Sequence, residues 1–278
     1  MHDRKWLFLA PAALFATACL GAPSEVRLYT LDCGHATFQD MSGFSDTGEY
    51  DGKAGEVAAP CFLIRHPKGD LVWDLGLGDH YANPPEGSDV APGVHVVVHN
   101  TLTAQLQALS LTPKDIRFIA FSHLHWDHTG NANLFAESTW LMNSAELAAG
   151  SVVPPPGGVL PETWRAVKTA KTVPIDADYD VFGDGSVMIL RTPGHTPGHQ
   201  VLKLKLAKSG TVILSGDLWH LRASRDFKRV PIFNANRADT LASMGRVETI
   251  LKNTNGRLIV QHDIKDYDAL PKPPAYLD

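Results

Sequence analysis

Long basic runs are missing from this 278-residue chain, which sets 25 Lys and Arg against 30 Asp and Glu for a net charge of −5. Without a basic stripe there is no electrostatic footprint for nucleic acid, and that partner is excluded. Cysteine is scarce, with Cys19, Cys33 and Cys61 the whole supply. The longest apolar run, Trp6 to Leu20, is too short to span a bilayer comfortably, so no transmembrane span is expected in the mature protein. Internal repeats and low-complexity tracts are absent too. What remains is an ordinary globular composition, 44% hydrophobic and 20% charged, in a chain long enough to bury a sizeable core.

The N-terminus differs in kind. Arg4 and Lys5 precede the apolar run, and Ala16-Thr17-Ala18 fits the small-x-small pattern of a signal-peptidase site. We therefore expect a leader over residues 1–21, cleaved near 18–22, and one domain over residues 22–278. Export places the chain in the periplasm or outside the cell, with a lipid anchor at Cys19 as the variant form. Export would also permit a disulfide between Cys33 and Cys61. Two cysteines flanking a long loop do not decide that, and buried free thiols in neighbouring strands are the expectation.

Beyond the leader, Val26–Cys33 alternates like a strand, and apolar Cys61–Arg65 and Leu71–Trp73 flank a hairpin-like His-Pro-Lys-Gly turn. Between the first two lies Gly34–Pro60, polar and glycine-rich, which reads as a long functional loop of the lid type. Thr101–Leu109 has helical spacing, and Ile116–Phe121 suits a buried strand. A strand at Thr139–Met142, a helix at Ser144–Ala149 and a Pro/Gly surface insertion at Val153–Pro161 follow. Further strands fit Val187–Arg191, Gln200–Leu206, Thr211–Leu214 and Leu258–Val260. Asn236 caps a helix whose apolar face is Leu241, Met244, Val247 and Leu251, and Asn255-Gly256 stops it. The mixture is α/β.

The chemistry concentrates directly after the strand ending at Phe121. "SHLHWDHTGN" packs His123, His125, Asp127 and His128 into six positions. On an extended segment His123 and His125 point the same way as a chelating pair, whereas Asp127 and His128 lie past a turn and can face a second centre. A lone His-x-His is a weak signal; four ligand-type residues at a strand end are a strong one. Three more strand exits carry candidates, in Thr192-Pro193-Gly194-His195, Ser215-Gly216-Asp217 and His262.

Together, His123-Leu-His125-Trp-Asp127-His128 followed by His195, Asp217 and His262 resembles the full ligand set of the metallo-β-lactamase fold superfamily. "PCFLIRHPKGDLVWDLGLGD" and "TPGHTPGHQ", with "SGD" close behind, are most similar to its N-acyl-homoserine lactonase branch. The resemblance implies an αββα sandwich, two mixed β-sheets flanked by helices. It implies that His123, His125 and His195 bind one metal ion, that Asp127, His128 and His262 bind the other, and that Asp217 bridges them. Zinc suits such imidazole and carboxylate donors, with iron, manganese or cobalt as substitutes. A lactone is the implied small-molecule substrate, and a homodimer is left open.

Several further readings follow from the same resemblance. Two close cations bring the ionisation of a shared water near neutrality, and Asp127 is the candidate to shuttle its proton to the leaving alkoxide. The lactonases place a Tyr three residues after the bridging Asp; here that position is His220, expected to meet the substrate carbonyl and to be pH-sensitive. Asp74 reads as an acceptor behind the metals or a turn former, His199 as a histidine packed or hydrogen-bonded behind the site, and Trp126 as facing either pocket or core. His35, His66, His80, His95 and His99 read as structural or exposed. Zinc β-lactamases generally lack the Asp217 carboxylate, a glyoxalase-II-like thioesterase would show basic residues for glutathione, and a promiscuous esterase is a further competitor. A persulfide dioxygenase using one iron would leave His128 and His262 without a task, and a non-catalytic binding protein would not need all seven ligands.

Overall fold

A computed structural model describes residues 25–278 of the chain; the leader and Cys19 lie outside the described residues. The chain opens with strand β1 (Arg27–Leu31), β2 (His35–Phe38), β3 (Gly55–Ala58), β4 (Cys61–Arg65) and β5 (Leu71–Trp73). Then come β6 (Ser88–Ala91), β7 (Val94–Val97), helix α1 (Leu102–Ala108), β8 (Phe118–Ala120), α2 (Trp126–Thr129), β9 (Thr139–Asn143) and α3 (Ser144–Gly150). The second half runs β10 (Lys171–Ile175), β11 (Tyr179–Asp180), β12 (Val187–Arg191), β13 (Gln200–Leu206), β14 (Gly210–Leu214), α4 (Arg222–Phe227), α5 (Arg237–Thr254), β15 (Arg257–Ile259) and α6 (Ile264–Asp268).

Two mixed sheets face each other, ordered β1-β4-β5-β8-β9-β10 and β11-β12-β13-β14-β15. Strand alternation explains why both faces of each are buried. Phe62, Ile64, Trp73, Ala120 and Leu141 point inward against Val187, Ile189, Leu202, Leu204 and Leu214 of the opposite sheet. Their neighbours Leu63, Val72, Ile119, Trp140 and Met142 point outward onto Leu102 and Leu106 of α1. On the far side Val201 and Ile213 meet Met244, Val247 and Leu251 of α5. The helix is anchored as its sequence predicts: the Asn236 side chain accepts from Asp239 N, and Asn255 ends it in a left-handed conformation. This is the αββα sandwich.

Strand direction positions the site. β5 and β8 run parallel, as do β14 and β15, and two antiparallel steps make β12 run the same way as β14. All five therefore release Asp74, His123, His195, Asp217 and His262 at their C-terminal ends, where α/β sheets place binding groups.

The expected loop over Gly34–Pro60 is regular at its two ends and irregular over residues 39–54, apart from a single 3-10 turn at Ser42–Phe44. Its ends are β2 and β3, and with β7 and β6 they form a third, four-stranded antiparallel sheet. The strands are short, with polar outer faces, and β2 finds β7 across some sixty residues (His35↔Val97), a non-local pairing that periodicity does not reveal. The expectation of free thiols is also corrected. β1 pairs antiparallel with β4 so that Leu31 faces Cys61, and Cys33, just beyond, forms a disulfide with Cys61 at a Cα–Cα distance of 5.6 Å. The bridge closes the base of the hairpin at a sequence separation of 28. Closing a loop of that size restricts the unfolded chain, so Cys33→Ser/Cys61→Ser should lose about 2–4 kcal/mol of stability in denaturant melts. An unchanged midpoint and slope would show that the bridge contributes nothing.

Candidate metal centre

Past β8 the chain stays extended through His125 and then makes one helical turn, α2, so the cluster is part loop and part helix. Asp74 holds its entrance, accepting the Ser122 N–H through Oδ1 at 2.6 Å. His125 is set from the other side: Trp126 N donates to Gly158 O at 2.8 Å, and Val159 forms a β-bridge with His125. The Val153–Pro161 segment is thus more than a surface insertion, since its end packs on the site. Gly158 is required there, because a Cβ would lie 2.9 Å from the His125 ring.

All seven sequence-predicted ligands converge. His123, His125, His195 and Asp217 bring one donor atom each within 4.8 Å of one another, and so do Asp127, His128 and His262. Asp217 stands between the groups. Its Oδ1 lies 3.1 Å from His128 Nε2 and 2.9 Å from His262 Nε2; its Oδ2 lies 3.4 Å from His123 Nε2 and 3.2 Å from His195 Nε2.

The second group tests whether a cation fits. His262 Nδ1 lies 2.6 Å from Ala58 O in β3, an acceptor only, so Nδ1 carries the proton. His128 Nδ1 is likewise 3.0 Å from Asp74 Oδ2. With both Nδ1 atoms donating, the Nε2 atoms of neutral rings present lone pairs to each other at 3.2 Å, an arrangement that a shared cation resolves. Buried His123 Nε2 and Asp217 Oδ1 have no hydrogen-bond partner either. The electrostatics agree. Burial holds His123 and His125 well below the ordinary histidine value. Burial opposes charge on His128 and His262 as well, yet the carboxylates of Asp217 and Asp127, with Asp74 for His128, together outweigh it and raise both, so this spot attracts positive charge, a proton on the rings or a cation between them. Burial would raise Asp217, but the rings of His262, His220, His128 and His123 hold it well below the carboxylate range. A negative group encircled in this way calls for positive charge.

His199 stays behind the site as expected: its Nδ1 faces Thr192 O at 3.1 Å and its Nε2 accepts the Asp217 N–H at 2.9 Å, which leaves no atom for a metal. His220 departs from expectation. Its Nε2 lies 2.9 Å from Asp217 Oδ2, so the donor expected to meet a substrate carbonyl is spent on Asp217, and its Nδ1 has no partner. Burial also lowers its pKa, which favours the neutral ring at pH 7. Among the remaining histidines, His66 stacks on Phe182 and bonds Asp184, and His95 bonds Asp89, both structural contacts.

Sequence reasoning missed Glu146, read only as part of a helix. Its buried carboxylate accepts from Leu124 N and Gly198 N at 2.9 Å each, tying the His123–His125 segment to the His195 loop. The only available signal was an acidic residue three positions after the N-cap Asn143, which ordinarily reads as a helix-start signal. Also missed were the cavity walls. A cavity of about 550 Å³ ends at Asp127, Asp217, His220 and His262 and is lined by apolar Ala36, Phe38, Phe44, Val57, Leu77, Val94 and Phe233, with Trp126 facing it. Phe44 and Phe233 meet the His220 ring edge-on at 5.5 and 5.4 Å.

Comparison with known proteins follows this geometry. The family model described as the metallo-beta-lactamase superfamily matches residues 54–262. The N-acyl homoserine lactonase AttM of Azorhizobium caulinodans is 28% identical over 268 residues, covering 92% of this chain and all of that protein. Among solved structures, an N-acyl homoserine lactone hydrolase with N-hexanoyl-L-homoserine bound at its catalytic metal centre aligns with a TM-score of 0.78 at 24% identity, covering 90% of this chain and 98% of its own. AidC, a dizinc quorum-quenching lactonase, aligns with a TM-score of 0.66 at 18% identity, covering 87% and 89%. With more than half of its length matched by that family model, and with the sandwich and strand-end donors in place, this chain belongs to the metallo-β-lactamase superfamily.

Proposed function

We propose that this protein hydrolyses the ring ester of N-acyl-homoserine lactones and so quenches signalling by these molecules. The observation that carries the reading is the Asp217 carboxylate, held between two donor groups at the floor of an apolar cavity. The named activities of AttM, AidC and the product-bound hydrolase support the substrate class.

Divalent cations, zinc by the match of donors, would be held by His123, His125 and His195, by Asp127, His128 and His262, and by Asp217 between them; bound there, they polarise an ester carbonyl and ionise water near neutral pH. The chain supplies the rest. Phe38, Phe44, Val57 and Val94 offer an apolar wall to an acyl chain and keep bulk water from it. Asp127 is half-buried, lines the cavity, and has Oδ2 3.6 Å from His262 Nε2, which places its carboxylate where the second metal group meets the cavity. It takes the proton from the attacking water and returns it to the ring oxygen as the C–O bond breaks, so lactone and water give one open-chain molecule that carries both the new carboxylic acid and the new alcohol. His220 orients the Asp217 carboxylate and closes the wall between Phe44 and Phe233.

The same reading takes the chain as exported, periplasmic or secreted, and the buried Cys33–Cys61 bridge supports an oxidising compartment. A persulfide dioxygenase is the weaker alternative, because one iron would leave the Asp127, His128 and His262 group idle.

Incubation with short- and long-chain homoserine lactones, an aryl ester and a carbapenem, followed by mass spectrometry, tests the substrate. Ring opening of the lactones is expected, and turnover of the carbapenem alone would sink the proposal. Stripping the protein with dipicolinate should abolish lactone turnover, and adding zinc should restore it. Asp127→Asn should lower kcat by about a hundredfold or more even when assayed at saturating zinc, which separates the lost proton shuttle from the lost ligand. His220→Ala should lower kcat/KM at least about tenfold, as expected for loss of one oriented hydrogen bond at the site; wild-type turnover would remove His220 from the mechanism.

A further inference from the structure

Gln261 precedes His262 at the end of β15, and its side chain is buried behind the metal centre. Its neighbours fix which end of the amide is which. The indole N–H of Trp73 and the backbone N–H of Gly216 both point at one side-chain atom, at 3.1 and 2.8 Å; both are donors, so that atom is the oxygen. The amide NH2 then faces Asp74 Oδ2 at 2.9 Å. The backbone N–H of Gln261 donates to Ser215 Oγ at 3.1 Å.

Each partner leads to a residue of the metal centre. Asp74 Oδ2 also receives His128 Nδ1, and Asp74 itself adopts a left-handed backbone conformation (φ 52°) that its surroundings must hold. Gly216 leads directly into Asp217. It too is left-handed (φ 49°), and a Cβ there would lie 2.6 Å from that of Ser122, so the turn passes too close to the cluster for any other residue. One primary amide thus joins the ends of β5, β14 and β15. No other side-chain type of this length offers an acceptor for two N–H groups at one end and a donor for a carboxylate at the other.

We propose that Gln261 is a positioning residue for the second metal group, locking Asp74, and through it the His128 ring, to the turn that carries Asp217. The proposal rests on reading the cluster as a two-metal centre. It sets an asymmetry of degree: the oxygen of Asp74 that takes the amide also takes the His128 ring directly, whereas the first group is reached only through Ser122, whose N–H Asp74 accepts and whose Oγ lies 3.0 Å from His123 Nδ1, and that group is tied besides by Glu146.

Zinc affinities of the full-length protein are measured by competition with a chromophoric chelator for wild type, Gln261→Met and Gln261→Glu at pH 8. The Met variant keeps the volume and removes both polar ends. The Glu variant keeps an acceptor for Trp73 and Gly216 but turns a carboxylate toward Asp74, and it carries the test if the Met variant fails to fold. Wild type is expected to hold two equivalents. In a folded variant one equivalent should weaken by about tenfold to a hundredfold and the other by clearly less, and histidine 15N shifts should assign the larger loss to His128 and His262. Wild-type affinity for both ions, equal weakening of both, loss confined to His123, His125 and His195, or fewer than two ions in wild type would overturn the proposal. Because the readout is metal binding, selective weakening supports the role of Gln261 even in a protein that leaves homoserine lactones intact, the result that would overturn the proposed substrate.

Discussion

Five imidazoles surround the buried carboxylate of Asp217 at 2.9–3.4 Å, and the arrangement of the whole sandwich can be traced from that encounter. A carboxylate taken out of water must find compensating charge or hydrogen bonds. Here the compensation comes from rings on four separate segments, each released at the same edge of the two sheets. No single strand or loop can hold such a centre. It exists only while both sheets are packed, which places the hydrophobic core between Phe62, Trp73, Leu202 and Leu214 in direct service of the chemistry.

Around this centre the chain separates support from access. Support comes from buried groups with fixed hydrogen bonds: Asp74 on His128, Ala58 O on His262, His199 on Asp217 N, and Glu146 across the two loops. Access is shaped by the third sheet and its hairpin. β3 does both, since its Ala58 orients His262 while Val57 lines the cavity, so the substrate wall and the second metal group share one strand. The Cys33–Cys61 bridge anchors the hairpin that carries this strand at its base.

How much of this the sequence displays depends on the range of the interaction. The α5 helix is legible in full, because Asn236, its apolar stripe and Asn255 are local signals. The seven candidate ligands are legible because chemistry-bearing residues follow apolar strands directly. The third sheet is not: β2 and β7 are four residues each, too short to show a period, and meaningful only once paired. Disulfide formation is hidden for the same reason, since it needs the register that sets Leu31 opposite Cys61. Glu146 reads as a helix residue and Gln261 as a spacer beside a histidine until the partners brought by other strands appear. His220 is the sharpest case. The sequence places it beside the centre, but only the structure shows its donor directed to Asp217 rather than to open space.

The central claim is that Asp217 joins two cation sites. Anomalous diffraction from crystals of the zinc-loaded protein, recorded on both sides of the zinc absorption edge, addresses it directly. The account predicts two peaks, one among His123, His125 and His195 and one among Asp127, His128 and His262, with the Asp217 carboxylate contacting both. A single peak, or two peaks with Asp217 bound to only one, would contradict it.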